Sequence, residues 1–133
     1  MERAIQTDRQ EVSRFGEFTL DVPDRRLTWG VCAIHLAPKT FDVLVALVRR
    51  AGRLVSKHEL LAVVWPGIFV DEGILTVHVA ALRKALGERK RFPRYIETVS
   101  GSGYRFIGVF QPSGAVDVSP QEPPVWLDRE ARL

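Results

Sequence analysis

Three short clusters in the sequence have residue types that could carry chemistry, and each can be held against the spacing its chemistry needs. Gly101-Ser102-Gly103 begins like the phosphate-cradling G-x-G-x-x-G loop, but Phe106 stands where the third glycine belongs, and no strand-to-helix turn follows. His58-Glu59 begins H-E-x-x-H, yet position 62 is Ala62, so no histidine pair shares a helix face to hold zinc. Cys32 and His35 form one C-x-x-H pair without a second at a plausible spacing, short of the four ligands of a structural zinc. Catalysis, a bound metal and an organic cofactor are therefore not expected. What remains is charge. Between residues 83 and 105, Arg83, Lys84, Arg89, Lys90, Arg91, Arg94 and Arg105 face only Glu88 and Glu97, a net of +5 in a chain whose total is +3. Positive charge gathered in one segment is the electrostatic footprint of a polyanion binder.

The elements that must position this charge can be read from pattern. With 133 residues, 46% of them hydrophobic and 26% charged, the chain suits one globular domain with tails. It has no apolar run of about 18 residues that would span a bilayer and no apolar core near its start that would mark a secretory signal. A single cysteine, Cys32, allows no internal disulfide, and the cytoplasm is the expected location. Residues 15–38 are β-rich pieces broken by Pro23-Asp24 and Trp29-Gly30, which predict strands at Phe15–Leu20, Arg26–Trp29 and Ala33–Leu36. Pro38 suits the first turn of a helix; Phe41, Leu44, Val45 and Val48 make its buried stripe, and Gly52 ends it. Ser56 with Glu59 three residues on is a capping box for a second helix, whose Leu60, Leu61 and Val64 should face inward before Pro66-Gly67 stops it. Asp71 is the expected cap of a third helix reaching Gly87. Its Leu75, Val79, Leu82 and Leu86 form the core face, leaving Thr76, Val77, Ala80, Arg83 and Lys84 outward with His78 and Ala81 on the flanks. Residues 94–110 read as a hairpin around Ser100-Gly101-Ser102-Gly103, whose glycines should permit the turn through positive φ. The expected organisation is a flexible arm at 1–13, one domain at 14–110 and a Pro-rich linker or tail at 111–133 that ends in a short amphipathic helix.

Sheet, three helices and hairpin, in that order, is the plan of an α+β winged helix-turn-helix. The segments LAPKTFDVLVALVRRAGRLVSKHELLAVVWPG, VDEGILTVHVAALRKALG and YIETVSGSGYRF resemble the OmpR/PhoB-type winged helix domain, in the arrangement found at the N-terminus of CadC-like bacterial regulators. The resemblance implies a transcription regulator that binds double-stranded DNA, with helix 71–86 in the major groove and wing 94–110 on the backbone or an adjacent minor groove. By position, Trp65, Thr76, His78, Arg83, Thr98 and Tyr104 match places where family members touch DNA. Loop 65–70, with Pro66, Gly67, Ile68, Phe69 and Val70, takes the place of the transactivation loop that can face RNA polymerase. Where phosphate-regulon members carry arginine, this chain has Gly73, Ala80, Ala81 and Ser100.

Those departures shape the expected interface. Alanine cannot make the bidentate hydrogen bonds that discriminate a base by about 1–3 kcal/mol, although a methyl can pack on a thymine methyl. Val77, Ala80 and Ala81 are thus expected to read thymine weakly. Arg83, Lys84, Arg94, the Lys90-Arg91 loop, Tyr104 and backbone N–H groups should hold phosphates, and Ser100 and Ser102 of the wing are counted among the DNA-binding residues. A homodimer on repeated half-sites would supply the specificity that one module lacks. The competing expectation is a protein-interaction module that docks a partner through Ile68, Phe69 and the tail residues Val125, Trp126 and Leu127.

Overall fold

Alternating side chains and tight turns make the first strands an antiparallel meander, ordered β1 (Val12–Phe15), β2 (Phe18–Asp21), β3 (Arg26–Trp29) and β4 (Cys32–Ile34). The computed structural model describes residues 11–88 and 94–111. It divides into two units, Met1–His35 with Val109–Leu133, and Leu36–Gly108. In the first unit Leu20 pairs with Leu27 and Leu27 with Ile34, so one face of the meander carries a cross-strand apolar row, all of it buried. Phe15 and Phe18, opposite one another at the first hairpin, are also buried, with ring centroids 5.7 Å apart.

The single strand expected over Phe15–Leu20 is two strands. Gly16, at φ 58°, and Glu17 form a two-residue loop, and a glycine with positive φ at its first position is what a type II′ hairpin turn requires. β1 also begins at Val12, inside the arm expected to run to residue 13, and the third expected strand is shifted to Cys32–Ile34. On the outer edge of β1, Phe110 bridges Phe15, and the Gln111 N–H donates to the Arg14 carbonyl at 2.8 Å.

The second unit holds α1 (Pro38–Arg49), β5 (Leu54–Ser56), α2 (Lys57–Val64), α3 (Gly73–Leu86), β6 (Ile96–Val99) and β7 (Gly103–Phe106). Pro38 opens α1 at the position where its missing N–H is harmless. α1 packs against α2, α3 and β7. Its buried residues are correspondingly more than one stripe: Thr40, Val43, Ala46 and Leu47 join Phe41, Leu44 and Val45, while Val48 is only half-buried. The Ser56 cap forms as expected, its Oγ accepting from the Glu59 N–H at 3.0 Å. Leu60 and Val64 are buried and Leu61 is half-buried.

β5, which the sequence pattern did not reveal, lies beside β7 in a sheet of order β5-β7-β6. This contact corrects the expected role of Gly103. Gly101 turns the hairpin at φ 75°, but Gly103 is there for closeness, since a Cβ on it would collide with the Val55 backbone. α3 starts later than expected: its cap is Glu72, no side chain caps it, and Asp71 contributes its backbone carbonyl to Ile74. Leu75, Val79, Leu82 and Leu86 are buried as their spacing requires. α3 closes with Gly87 in the left-handed region, where the Gly87 N–H reaches Lys84 O and the Glu88 N–H reaches Arg83 O. That pair of bonds is a Schellman motif. The expected terminal helix, with Val125, Trp126 and Leu127, lies outside the described residues.

Candidate nucleic-acid interface

A cleft of about 500 Å³ runs between α3 and the β6–β7 hairpin. Thr76, Ala80 and Lys84, successive at i, i+4 and i+8 on one helix face, form one wall together with Arg83 and Glu88; Thr98, Val99, Ser100, Gly101, Gly103 and Tyr104 form the other. Lys57 also lines the cleft. Its backbone N–H, one of the donors left open at the start of α2, is taken up by the Ser102 carbonyl at 3.2 Å, which ties α2 to the hairpin turn. Sequence reading missed Lys57. A signal was present, because a cation in the first turn opposes the helix dipole.

On α3, Thr76, Val77, Ala80 and Lys84 are exposed as expected, Val77 at 65%, and Ala81, expected on the flank, is exposed as well. This outer face offers methyl groups and one hydroxyl, with Lys84 at its end. Arg83 corrects the expectation. It is buried at 9% exposure, its Nε 3.3 Å from Glu88 Oε2 and its Nη2 donating to Ile96 O at 2.8 Å and Thr98 Oγ1 at 2.7 Å. Arg105 is similarly engaged, 3.0 Å from Glu97. Among the described residues, Lys84 and Arg94 are the other cations of the basic segment, and Arg94 is exposed, its guanidinium 5.5 Å from the Tyr95 ring centre. Arg89, Lys90 and Arg91 lie outside the described residues.

Trp65 and His78 sit in a second cluster. Trp65, which ends α2, is buried, with its ring centre 5.5 Å from that of His78. His78 Nδ1 and Thr40 Oγ1 share a hydrogen bond of 2.7 Å. Lys39 Nζ lies 5.8 Å over the Trp65 ring and donates to Val64 O at 2.9 Å. The cluster links α1, the end of α2 and the middle of α3. Tyr104 is buried too, yet remains on the cleft wall. Beyond Trp65, Pro66, Gly67, Ile68 and Phe69 are exposed, Phe69 at 96%, and Val70 is half-buried. No helix among the described residues is long and apolar enough to cross a membrane.

Known proteins share this arrangement. The chain is 44% identical over 92 residues to the transcriptional regulator HilA of Salmonella typhi, covering 69% of this chain and 16% of HilA. It is 35% identical over 98 residues to the transcriptional regulatory protein KdpE of Mycobacterium tuberculosis, covering 73% of this chain and 43% of KdpE. The chain therefore spans less than half the length of these relatives. Among solved structures, the Klebsiella pneumoniae RstA DNA-binding domain in complex with the RstA box is similar at a TM-score of 0.66 and 29% identity, covering 74% of this chain and 98% of that one. The DNA-binding domain of Escherichia coli CadC is similar at 0.65 and 27% identity, covering 77% and 99%. The family described as "Transcriptional regulatory protein, C terminal" matches residues 32–106, more than half of the sequence, and the chain belongs to this family, the OmpR/PhoB-type winged helix domains.

Proposed function

We propose that this chain is a sequence-selective, double-stranded DNA-binding module of a transcription regulator, with α3 in the major groove and the β6–β7 wing on the backbone or the adjacent minor groove. One observation carries the reading: the exposed face of α3 runs directly into a cleft walled by Lys57, Lys84, Thr76, Thr98 and Ser100. Lysines and hydroxyls suit phosphate oxygens and fix register without reading sequence. Val77, Ala80 and Ala81 present only methyl groups to the bases, the contact that suits a thymine methyl. The similar RstA domain is solved in complex with the RstA box, which supports DNA as the ligand.

The proposed binding module, expected over 14–110, extends to Val12, in its first strand, and to Gln111, hydrogen-bonded to that strand, with the residues after it as the linker and the cytoplasm as the site of action. A single module buries about 600–1,000 Å² on DNA, so we assign useful specificity to two copies on repeated half-sites. The exposed Ile68 and Phe69 suit loop 65–70 to an RNA polymerase contact. The test is fluorescence anisotropy against a random duplex pool across a salt series, with sequencing of the bound fraction. The expected result is a steep salt dependence, about −0.9 in log–log slope per phosphate neutralised, with enrichment of A·T-rich repeats. Absence of binding at low salt would overturn the reading and favour a protein partner at the loop.

A further inference from the structure

In a Schellman close, the residue one past the left-handed glycine commonly makes an apolar contact with a residue in the last helical turn. Here those two positions hold Glu88 and Arg83, a charged pair with side chains 0% and 11% exposed. Burying both charges is costly unless hydrogen bonding is close to complete. It is. Glu88 Oε1 accepts from the Tyr95 N–H at 2.7 Å and from the Arg94 and Ile96 N–H groups at 3.3 Å. Its Oε2 accepts from the Ile96 N–H at 3.1 Å and from Arg83 Nε at 3.3 Å. Apart from the Arg83–Glu88 bond itself, these contacts, together with the Arg83 bonds to Ile96 O and Thr98 Oγ1, fasten the end of α3 to the first strand of the wing and the two residues before it.

We infer that Arg83 and Glu88 are positioning residues, a strut that sets the spacing of wing and α3 and hence the width of the cleft, and that the Arg83 guanidinium is an internal fastener instead of a phosphate ligand. The inference rests on the proposed DNA-binding reading. An apolar pair would close the helix end as well but could not reach β6. A carboxylate accepts three successive backbone N–H groups, and a forked guanidinium reaches the carboxylate from Nε and the carbonyl and hydroxyl from Nη2, a spread of acceptors that the single nitrogen of an ammonium does not span. The strut also fixes Thr98 on the cleft wall and cancels its own charge. The pair therefore adds no net charge to the cleft, whose other cations are Lys57 and Lys84.

The test compares the wild-type chain with Arg83→Met, Arg83→Lys, Glu88→Gln and Lys57→Ala by amide hydrogen exchange in the free protein and by anisotropy on a duplex pool across a salt series. The strut predicts exchange at Tyr95 and Ile96 at least tenfold faster in both Arg83 variants and in Glu88→Gln. It predicts several-fold weaker binding at every salt concentration with the wild-type slope. Arg83→Lys should behave like Arg83→Met even though it keeps the charge, whereas Lys57→Ala should flatten the slope by about 0.9. If Arg83→Met flattens the slope by that amount, Arg83→Lys restores it, and exchange at Tyr95 and Ile96 is unchanged, Arg83 is a phosphate ligand and the strut is overturned. Should Glu88→Gln fail to fold, Arg83→Met and Arg83→Lys carry the same readouts. Should the wild-type chain bind no duplex at all, the DNA-binding reading fails, while the exchange results still decide the strut.

Discussion

The outer face of α3 and its wing-side face differ in kind. Exposed are Thr76, Val77, Ala80 and Ala81, all short, with Thr76 and Ala80 on the open cleft wall; beneath the wing is Arg83, long, charged and buried against Glu88. A helix proposed to lie in a groove would be expected to carry its arginine outward, and this one turns it inward. The difference teaches that charge in a basic segment can serve order before it serves contact. Cationic side chains near a ligand surface divide into those that build the surface and those that touch what lies on it.

The sharpest way to break this contrast is Glu88→Ala. It leaves a buried arginine unpaired and three N–H groups of the wing unsatisfied, for an expected loss of about 3–5 kcal/mol, read from urea unfolding; a loss below about 1 kcal/mol would mean that the buried pair orders nothing. Gly103→Ala attacks the other support of the wing, the close approach of β7 to β5. Forcing a methyl into that contact is expected to cost about 1–3 kcal/mol, visible as a lowered urea midpoint with an unchanged slope. The outer face should be indifferent to stability and sensitive to function. Ala81→Arg is expected to shift stability by less than about 0.5 kcal/mol while raising DNA affinity several-fold, measured by anisotropy, because an exposed arginine there can meet phosphate or guanine.

The core stripe of α3 was legible because four leucine and valine positions repeat at helical spacing, and the Ser56 cap because its partner Glu59 lies three residues away. The direction of Arg83 was misread for a physical reason. It stands four residues after Val79 and three before Leu86, at the edge of the apolar stripe, and its charge argued for solvent. The carboxylate that draws it inward belongs to Glu88, beyond the helix, where periodicity gives no guidance. β5 was hidden similarly: three residues at Leu54–Ser56 have no strand pattern of their own and exist as a strand through pairing with β7, some fifty positions along the chain. Phe15–Leu20 read as one strand because its residues favour β structure throughout, and the Gly16-Glu17 turn within it was overlooked. Within the cleft, hydroxyls and alanines on α3 and the wing were named from the resemblance, whereas Lys57 comes from a separate helix that only the tertiary fold brings alongside them.

The pairing of Phe110 and Gln111 with β1 has a topological consequence. Gln111 bonds to Arg14 through its backbone and, through its side chain, to Gly16 at 2.6 Å, so the polypeptide leaves this sheet along the same edge on which it begins at Val12. Among the described residues, the first strand and Gln111 are therefore neighbours, as circular permutation needs. A connector of a few residues would rejoin them, and new ends could be opened at the exposed Gly67-Ile68 peptide; cooperative melting of such a permutant would show that linear order and spatial order are separable here.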